Sequence, residues 1–235
     1  MTSPLRLGAL LVVAAAALTA AGPAGAAREC DGLMVCVSVP GPWVVVPVGA
    51  AAPRPRVEYQ LACPRGYVVG GLDAELSARG IDVDFRGRLG SPVNPGITTA
   101  RSAVFTAFDA AGTARAPTFR PFLGCIPAAG GGIRVPTAAG VLRPGRPTVR
   151  RVRTVRVRPG SAVVAQGCAA GERLVGAEHA VGFFTKRPPT ASLVASVHAA
   201  RSIRAGRVAV SVRADAELEG VRAVVQVQAV CARAR

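Results

Sequence analysis

The chain has 235 residues, of which 50% are hydrophobic but only 4% aromatic, and it contains 19 prolines and 27 glycines. The hydrophobic content excludes an intrinsically disordered chain, and the many proline and glycine residues argue against a fold of long helices. Lysine and arginine number 29 against 13 acidic residues, which predicts a salt-dependent attraction to polyanions.

The N-terminus has the three regions of a secretory signal peptide. Arg6 precedes an apolar run from Leu7 to Ala21, and small residues follow as far as Ala27. The apolar run has 15 residues, whereas a membrane-spanning helix needs about 20. We therefore predict cleavage after Ala26 or Ala27, a secreted or cell-envelope location, and no transmembrane segment in the mature chain.

Six cysteines follow this leader, and an even number in an exported protein indicates a disulfide framework. They are Cys30, Cys36, Cys63, Cys125, Cys168 and Cys231. Cys63 and Cys168 each open the pattern Cys-x-x-Gly, which continues with apolar residues and another glycine. The chain advances by 55 residues from Gly70 to Cys125, and by 55 again from Gly176 to Cys231.

This equal spacing indicates a tandem duplication with a period near 105 residues, which is the size of a small domain. It predicts two long disulfides, Cys63–Cys125 and Cys168–Cys231, and leaves Cys30 to pair with Cys36. Closing a loop of about 60 residues contributes about 4 kcal/mol to stability in the chain-entropy model. We expect no metal at these cysteines, because no Cys-x-x-Cys pair is present.

Alternating apolar and polar residues recur along both copies, a pattern typical of strands with one buried face. Residues 81–86, 207–213 and 221–228 are examples, and turn-forming residues separate such stretches at short intervals. This spacing predicts an all-β fold of two tandem disulfide-clipped modules, each a β-sandwich or jelly-roll-like unit. The predicted boundaries are 1–27 for the signal peptide, 28–127 for the N-terminal β module with its short Cys30–Cys36 segment, 128–147 for a Pro/Gly-rich linker and 148–235 for the C-terminal β module.

One pair of equivalent strands differs in phase between the copies. Leu72, Ala74 and Leu76 share one face in the first copy, whereas Val181 and Phe183 fall in the opposite phase in the second. A one-residue slip reverses every side chain of a strand. We therefore expect a β-bulge in one copy.

The densest charge lies between Arg143 and Arg158, where seven of sixteen residues are arginine. Arginine presents a fork of donors that matches phosphate and sulfate groups. The alternative is an edge strand whose charges prevent edge-to-edge aggregation. Nucleic acid is not expected as a specific ligand, because the segment lacks the aromatic residues on which bases stack. The candidate ligand-binding residues are Arg150, Arg151, Arg153, Arg156 and Arg158.

Few residues favour catalysis. His179 and His198 are the only histidines, and no Gly-x-Ser-x-Gly motif accompanies them. The alternating acids Asp215, Glu217 and Glu219 are interpreted as a solvated strand face that pairs with the arginine segment. We expect no cofactor, no metal and no catalytic residue.

The sequence favours a non-enzymatic, secreted or cell-envelope binding protein whose basic surface holds an anionic envelope polymer or another surface protein. The first alternative is a secreted hydrolase with a site near His179 or His198. The second is a structural or protein-interaction module, with the aromatic segment from Phe183 to Pro189 as its contact loop.

Overall fold

The computed structural model describes residues 28–49, 52–87, 100–129 and 148–233. The predicted signal peptide and nearly all of the predicted linker lie outside the described residues, so both remain predictions. Within the described ranges, no helix has the length and apolar character needed to cross a membrane.

The described residues form thirteen strands and one short helix, and the expected all-β fold is confirmed. The abundance of valine explains this content, because β-branched residues pack well on pleated sheets. The first half contains β1 (Val37–Pro40), β2 (Trp43–Val45), β3 (Arg56–Ala62), β4 (Tyr67–Leu76), β5 (Ile81–Gly87), β6 (Ser102–Asp109) and β7 (Thr118–Pro127). The second half contains β8 (Thr148–Val157), β9 (Gly160–Gly167), β10 (Glu172–Phe184), helix α1 (Ala191–Ala195), β11 (Val197–Arg204), β12 (Arg207–Ala214) and β13 (Arg222–Arg233).

One large antiparallel sheet runs through both halves of the chain. β4 pairs with one edge of β7, and β1 and β2 pair in succession with the other edge. β2 also pairs with β10, and the sheet continues through β13 to β8 at its far edge. Two three-stranded sheets complete the fold, β3–β6–β5 in the first half and β9–β12–β11 in the second.

The pairing scheme of the first half recurs in the second. β4 pairs with β7 as β10 pairs with β13, and the central strand of each small sheet is the next-to-last strand of its half. β4 shifts register between Val69 and Gly71, and β10 shifts between Leu174 and Gly176. The expectation of a bulge in one copy only is therefore wrong. Because both halves have the bulge, it does not by itself account for the phase difference.

Three disulfides form in the pairing that the cysteine spacing predicts: Cys30–Cys36, Cys63–Cys125 and Cys168–Cys231. The two long ones have Cα–Cα distances of 5.7 and 5.6 Å, within the usual range for disulfides. Each joins a residue just after the first strand of a small sheet to the last strand of its half. The long disulfides thus tie each small sheet to the large one.

Each small sheet packs one face against a core of apolar residues. In the first half this core includes Phe105, Phe119 and Leu123, none of which is accessible to solvent. In the second half the valines of β12 and β13 fill the core together with Phe183.

A buried polar cluster joins the two halves where the outer edge of β3 faces β13. The backbone amide of Gln60 donates to Oε1 of Gln226 at 2.7 Å, and Nε2 of Gln226 donates to the Gln60 carbonyl at 2.9 Å. Nε2 of Gln228 donates to the carbonyl of Glu58 at 2.9 Å. Side chains of one half therefore satisfy the strand edge of the other, where unpaired buried backbone groups would be costly.

Arg150 completes this polar cluster. Its Nη1 donates to the Glu58 carboxylate, and also to Oε1 of Gln228 at 3.0 Å. The Arg150 and Glu58 side chains are only 6% and 8% exposed. Removing one partner of such a pair leaves the other charge buried without compensation.

We predict that Arg150→Met destabilises the protein by about 3–5 kcal/mol, because it leaves the Glu58 carboxylate buried and unpaired. The double variant Glu58→Met/Arg150→Met should recover most of this loss. Arg151→Met removes a more exposed ion pair and should cost about 1 kcal/mol or less. Urea denaturation gives the free energy of unfolding for each variant, and equal losses for Arg150→Met and Arg151→Met would contradict the assignment.

Candidate anion-binding surface

Two of the five candidate arginines on β8 are engaged within the protein. Arg150 belongs to the buried polar cluster. Nε and Nη2 of Arg151 donate to the two carboxylate oxygens of Glu172 at 2.9 and 2.7 Å. These hydrogen bonds raise the pKa of Arg151 and lower the pKa of Glu172. Both arginines therefore have partners within the fold.

The other three candidates lie towards the end of β8 and are exposed. Nη1 of Arg153 donates to the carbonyl of Ala165 at 3.4 Å. Arg156 and Arg158 line a hollow of about 190 Å³ beside the turn between β8 and β9, and Ser161 lies in the same hollow. At the other end of the described segment, Arg150 lines a separate hollow of about 310 Å³ together with Gln60 and Arg101.

A second basic feature is the outer face of the sheet β9–β12–β11, which we call the basic face. Val208, Val210 and Val212 of β12 point into the core, so the residues between them point outwards. Strand register places twelve residues on the basic face: Ser161, Val163, Ala165 and Gly167 from β9, Arg207, Ala209, Ser211 and Arg213 from β12, and His198, Ala200, Ser202 and Arg204 from β11.

The basic face holds a broad hollow of about 840 Å³ with a floor of small side chains. Arg204 stands opposite Arg207 at one end of the face, and His198 stands opposite Arg213 at the other. The two ends are about 20 Å apart at the rise of an antiparallel strand. The broad hollow shares Ser161 with the hollow at the end of β8, so the two are neighbours.

Charge on the basic face is of one sign. Among the described residues, no Asp or Glu belongs to this face or lines either hollow. Like charges directly opposite one another destabilise an antiparallel pair, so Arg204 and Arg207 are unfavourable neighbours for the fold alone. An anion bound between their guanidinium groups would remove that repulsion.

The two histidines lie in separate cavities. His198 is exposed on the basic face, where Ser161 and Ser211 line the same hollow. A Ser-His-acid triad also needs a carboxylate that orients the imidazole, and none lines this hollow in the described chain. His179 lies in a cleft of about 360 Å³ together with Glu178.

This cleft changes the titration of both its acid and its base. Burial lowers the pKa of His179, the positive charge of Arg201 lowers it further, and a hydrogen bond to the backbone of Ala199 opposes both effects. Burial raises the pKa of Glu178, whereas Arg201 and Arg56 act in the opposite direction. His179 is therefore neutral near pH 7.

The expectation of an acidic strand face needs correction. Asp215, Glu217 and Glu219 do not form a strand face, because β12 ends at Ala214 and residues 216–218 form a 3-10 turn. The turn is favoured because it buries Leu218, which is 1% exposed. Arg150 and Arg151 pair instead with acids on β3 and β10.

The segment from Phe183 to Pro189 begins within β10, and its exposed residues are Lys186, Arg187 and Pro188 rather than the aromatic ones. Phe183 is fully buried, and the guanidinium of Arg222 lies 4.3 Å from the ring centroid of Phe184. One group of potential metal ligands also has another explanation. Cys168 and Cys231 lie near Glu172, but their sulfurs are joined in a disulfide and offer no thiolate to a metal.

Sequence analysis missed three arginines of the basic face, Arg204, Arg207 and Arg213. The signal was present in the alternation of residues 207–213, which predicts valines on one face and arginines on the other. This signal was overlooked because the density of charge along the chain is highest between Arg143 and Arg158.

Comparison with known proteins gives no guide to this surface. No protein-family model matches the chain, and neither the curated proteins nor the solved structures include a match.

We predict that stability falls as the pH is lowered below about 6.5, the ordinary histidine pKa, and that His179 causes part of this fall. The folded-state pKa of His179 is depressed, so the unfolded chain takes up the proton first and stability is lost down to the folded-state pKa. His179→Gln should flatten this part of the curve, whereas His198→Gln, at an exposed position, should not. Glu178 acts with the opposite sign nearer its own ordinary pKa, and it is present in both variants.

Thermal unfolding measured from about pH 8 to about pH 5 spans the histidine range. A wild-type curve and a His179→Gln curve with the same slope would show that burial of His179 has no such effect.

Proposed function

We propose that this protein is a secreted or cell-envelope binding protein that holds an anionic envelope polymer on its basic face and catalyses no reaction. The observation that carries the proposal is the placement of Arg204, Arg207 and Arg213 on one open face without a carboxylate. Arginine forks suit phosphate and sulfate groups, and small residues between them let a polymer backbone approach the sheet.

Comparison of the two small sheets supports an open binding face. On the outer face of β3–β6–β5, Glu58, Val104 and Thr106 of β3 and β6 are at most 6% exposed, whereas Asp82 and Asp84 of β5 are exposed. The outer face of β9–β12–β11 is the basic face, where Arg207, Ser211 and Arg213 are exposed. On this side the central strand is therefore buried in the first half, where β5 carries exposed carboxylates, and the central strand is open and cationic in the second half.

We also infer that the chain is a tandem duplication of one sandwich-like module, with a linker at 128–147. The recurrent strand pairing and the matched disulfides support this inference. In this account the second module keeps an open, cationic face for a ligand. Arg156 and Arg158 extend the binding surface beyond Ser161.

A hydrolase near His179 or His198 has weaker support. The hollow that contains His198 has serines but no carboxylate in the described chain. The cleft that contains His179 has an acid and cations, but among the residues that the structure describes no serine or free cysteine lines it. We therefore place the polymer-binding role first.

The test is the salt dependence of binding to poly(glycerol phosphate), measured by fluorescence anisotropy with a labelled polymer. The triple variant Arg204→Gln/Arg207→Gln/Arg213→Gln should lower the magnitude of the slope of log K against log salt by about 2. Each phosphate contact with a flexible polyanion contributes about 0.7 to that slope through the release of counterions. The same charge is removed in the control Arg65→Gln/Arg79→Gln/Arg115→Gln, at exposed sites of the first half.

The control should keep nearly the wild-type slope. Equal slopes for the two triple variants would show that net charge, not the basic face, causes binding. A second test variant, Arg156→Gln/Arg158→Gln, should lower the slope by about 1.4 if the neighbouring hollow takes part.

A further inference from the structure

The cleft that contains His179 lies at the junction of the two halves. The first half contributes Val45, Pro47 and the start of β3, and the second contributes β10, α1 and β11. With a volume of about 360 Å³, it lies at the small end of the range of ligand pockets, which is about 300–1,000 Å³.

One part of this cleft is aliphatic. Val57, Val181, Val194 and Val197 line it, and all four are buried or half-buried. They come from three strands and a helix, so a ligand chain placed among them would contact both halves of the protein. Such a wall favours hydrocarbon and gives no hydrogen bond to a polar group.

The other part of the cleft carries charge. Nη1 of Arg201 donates to the Ala177 carbonyl and to Oε2 of Glu178, the latter at 3.0 Å. Arg56 also lines the cleft and forms no ion pair with a described residue. Two guanidinium groups therefore face one carboxylate, and His179 adds no charge near pH 7.

We propose that this cleft binds a small organic anion with a short apolar chain, such as a medium-chain carboxylate. The anionic group lies at Arg56 and Arg201, and the chain lies against Val57, Val181 and Val194. The guanidinium of Arg56, which forms no ion pair with a described residue, selects an anionic ligand. The valines of the cleft select the length of its apolar chain. The proposal does not depend on the basic face.

The experiment is a titration of the full mature protein with hexanoate, followed by heteronuclear NMR and by calorimetry. Acetate tests the contribution of the chain, and hexanol and hexylamine test the charge. Hexanoate should bind at least tenfold more tightly than each of the three. A ligand that contacts both halves should also raise the melting temperature, since it binds only the folded state.

Two matched variants locate the site. Arg56→Gln should weaken hexanoate binding about tenfold, whereas Arg54→Gln, two residues away and outside the cleft lining, should leave it unchanged. The basic-face triple variant should also bind hexanoate normally, so failure of one proposal does not affect the other. Three results would overturn the assignment. They are an absence of amide shifts with millimolar hexanoate in up to about 10-fold excess over the protein, hexanol binding as tight as hexanoate binding, and an equal loss of hexanoate binding in Arg54→Gln.

Discussion

The contact between β3 and β13 is the constraint on which the arrangement of the two halves depends. β3 is an edge strand, and its outward backbone groups are satisfied by the side chains of Gln226 and Gln228 rather than by another strand. Buried backbone groups need partners, so this edge fixes where β13 must lie. The Glu58–Arg150 ion pair adds a charged contact at the same place. The two halves also meet where β2 pairs with β10, and the cleft that contains His179 lies at the same junction.

The same contact decides which surface is left for a ligand. At this contact the second half covers Glu58 on the outer face of β3, and the Glu58 carboxylate engages Arg150, the first of the candidate arginines. The equivalent sheet of the second half has no such cover among the described residues. Alternation then places Arg207 and Arg213 in solvent, because the valines between them complete the core. The alternation that places the valines of β12 in the core therefore also places its arginines on the surface.

Local patterns in the sequence predicted the strands and the disulfides, because spacing and alternation are properties of neighbouring residues. The matched intervals before Cys125 and Cys231 were enough to choose one pairing among many. The burial of Arg150 in an ion pair was not predictable in this way, since its partner Glu58 is 92 positions away. Residues 216–218 form a turn in place of the predicted acidic strand because Leu218 is buried. This burial depends on residues distant in sequence and was therefore not predictable from the local pattern. The junction cleft is formed by both halves and has no sequence signal.

The central functional claim is that an anionic polymer lies on the outer face of β9–β12–β11. The most direct measurement is a map of backbone amide shifts when poly(glycerol phosphate) is added to the folded protein at low salt. The account predicts that the largest shifts follow β9, β11 and β12 and extend to Arg156 and Arg158. Shifts spread evenly over the exposed arginines of both halves, or concentrated in the first half, would contradict it.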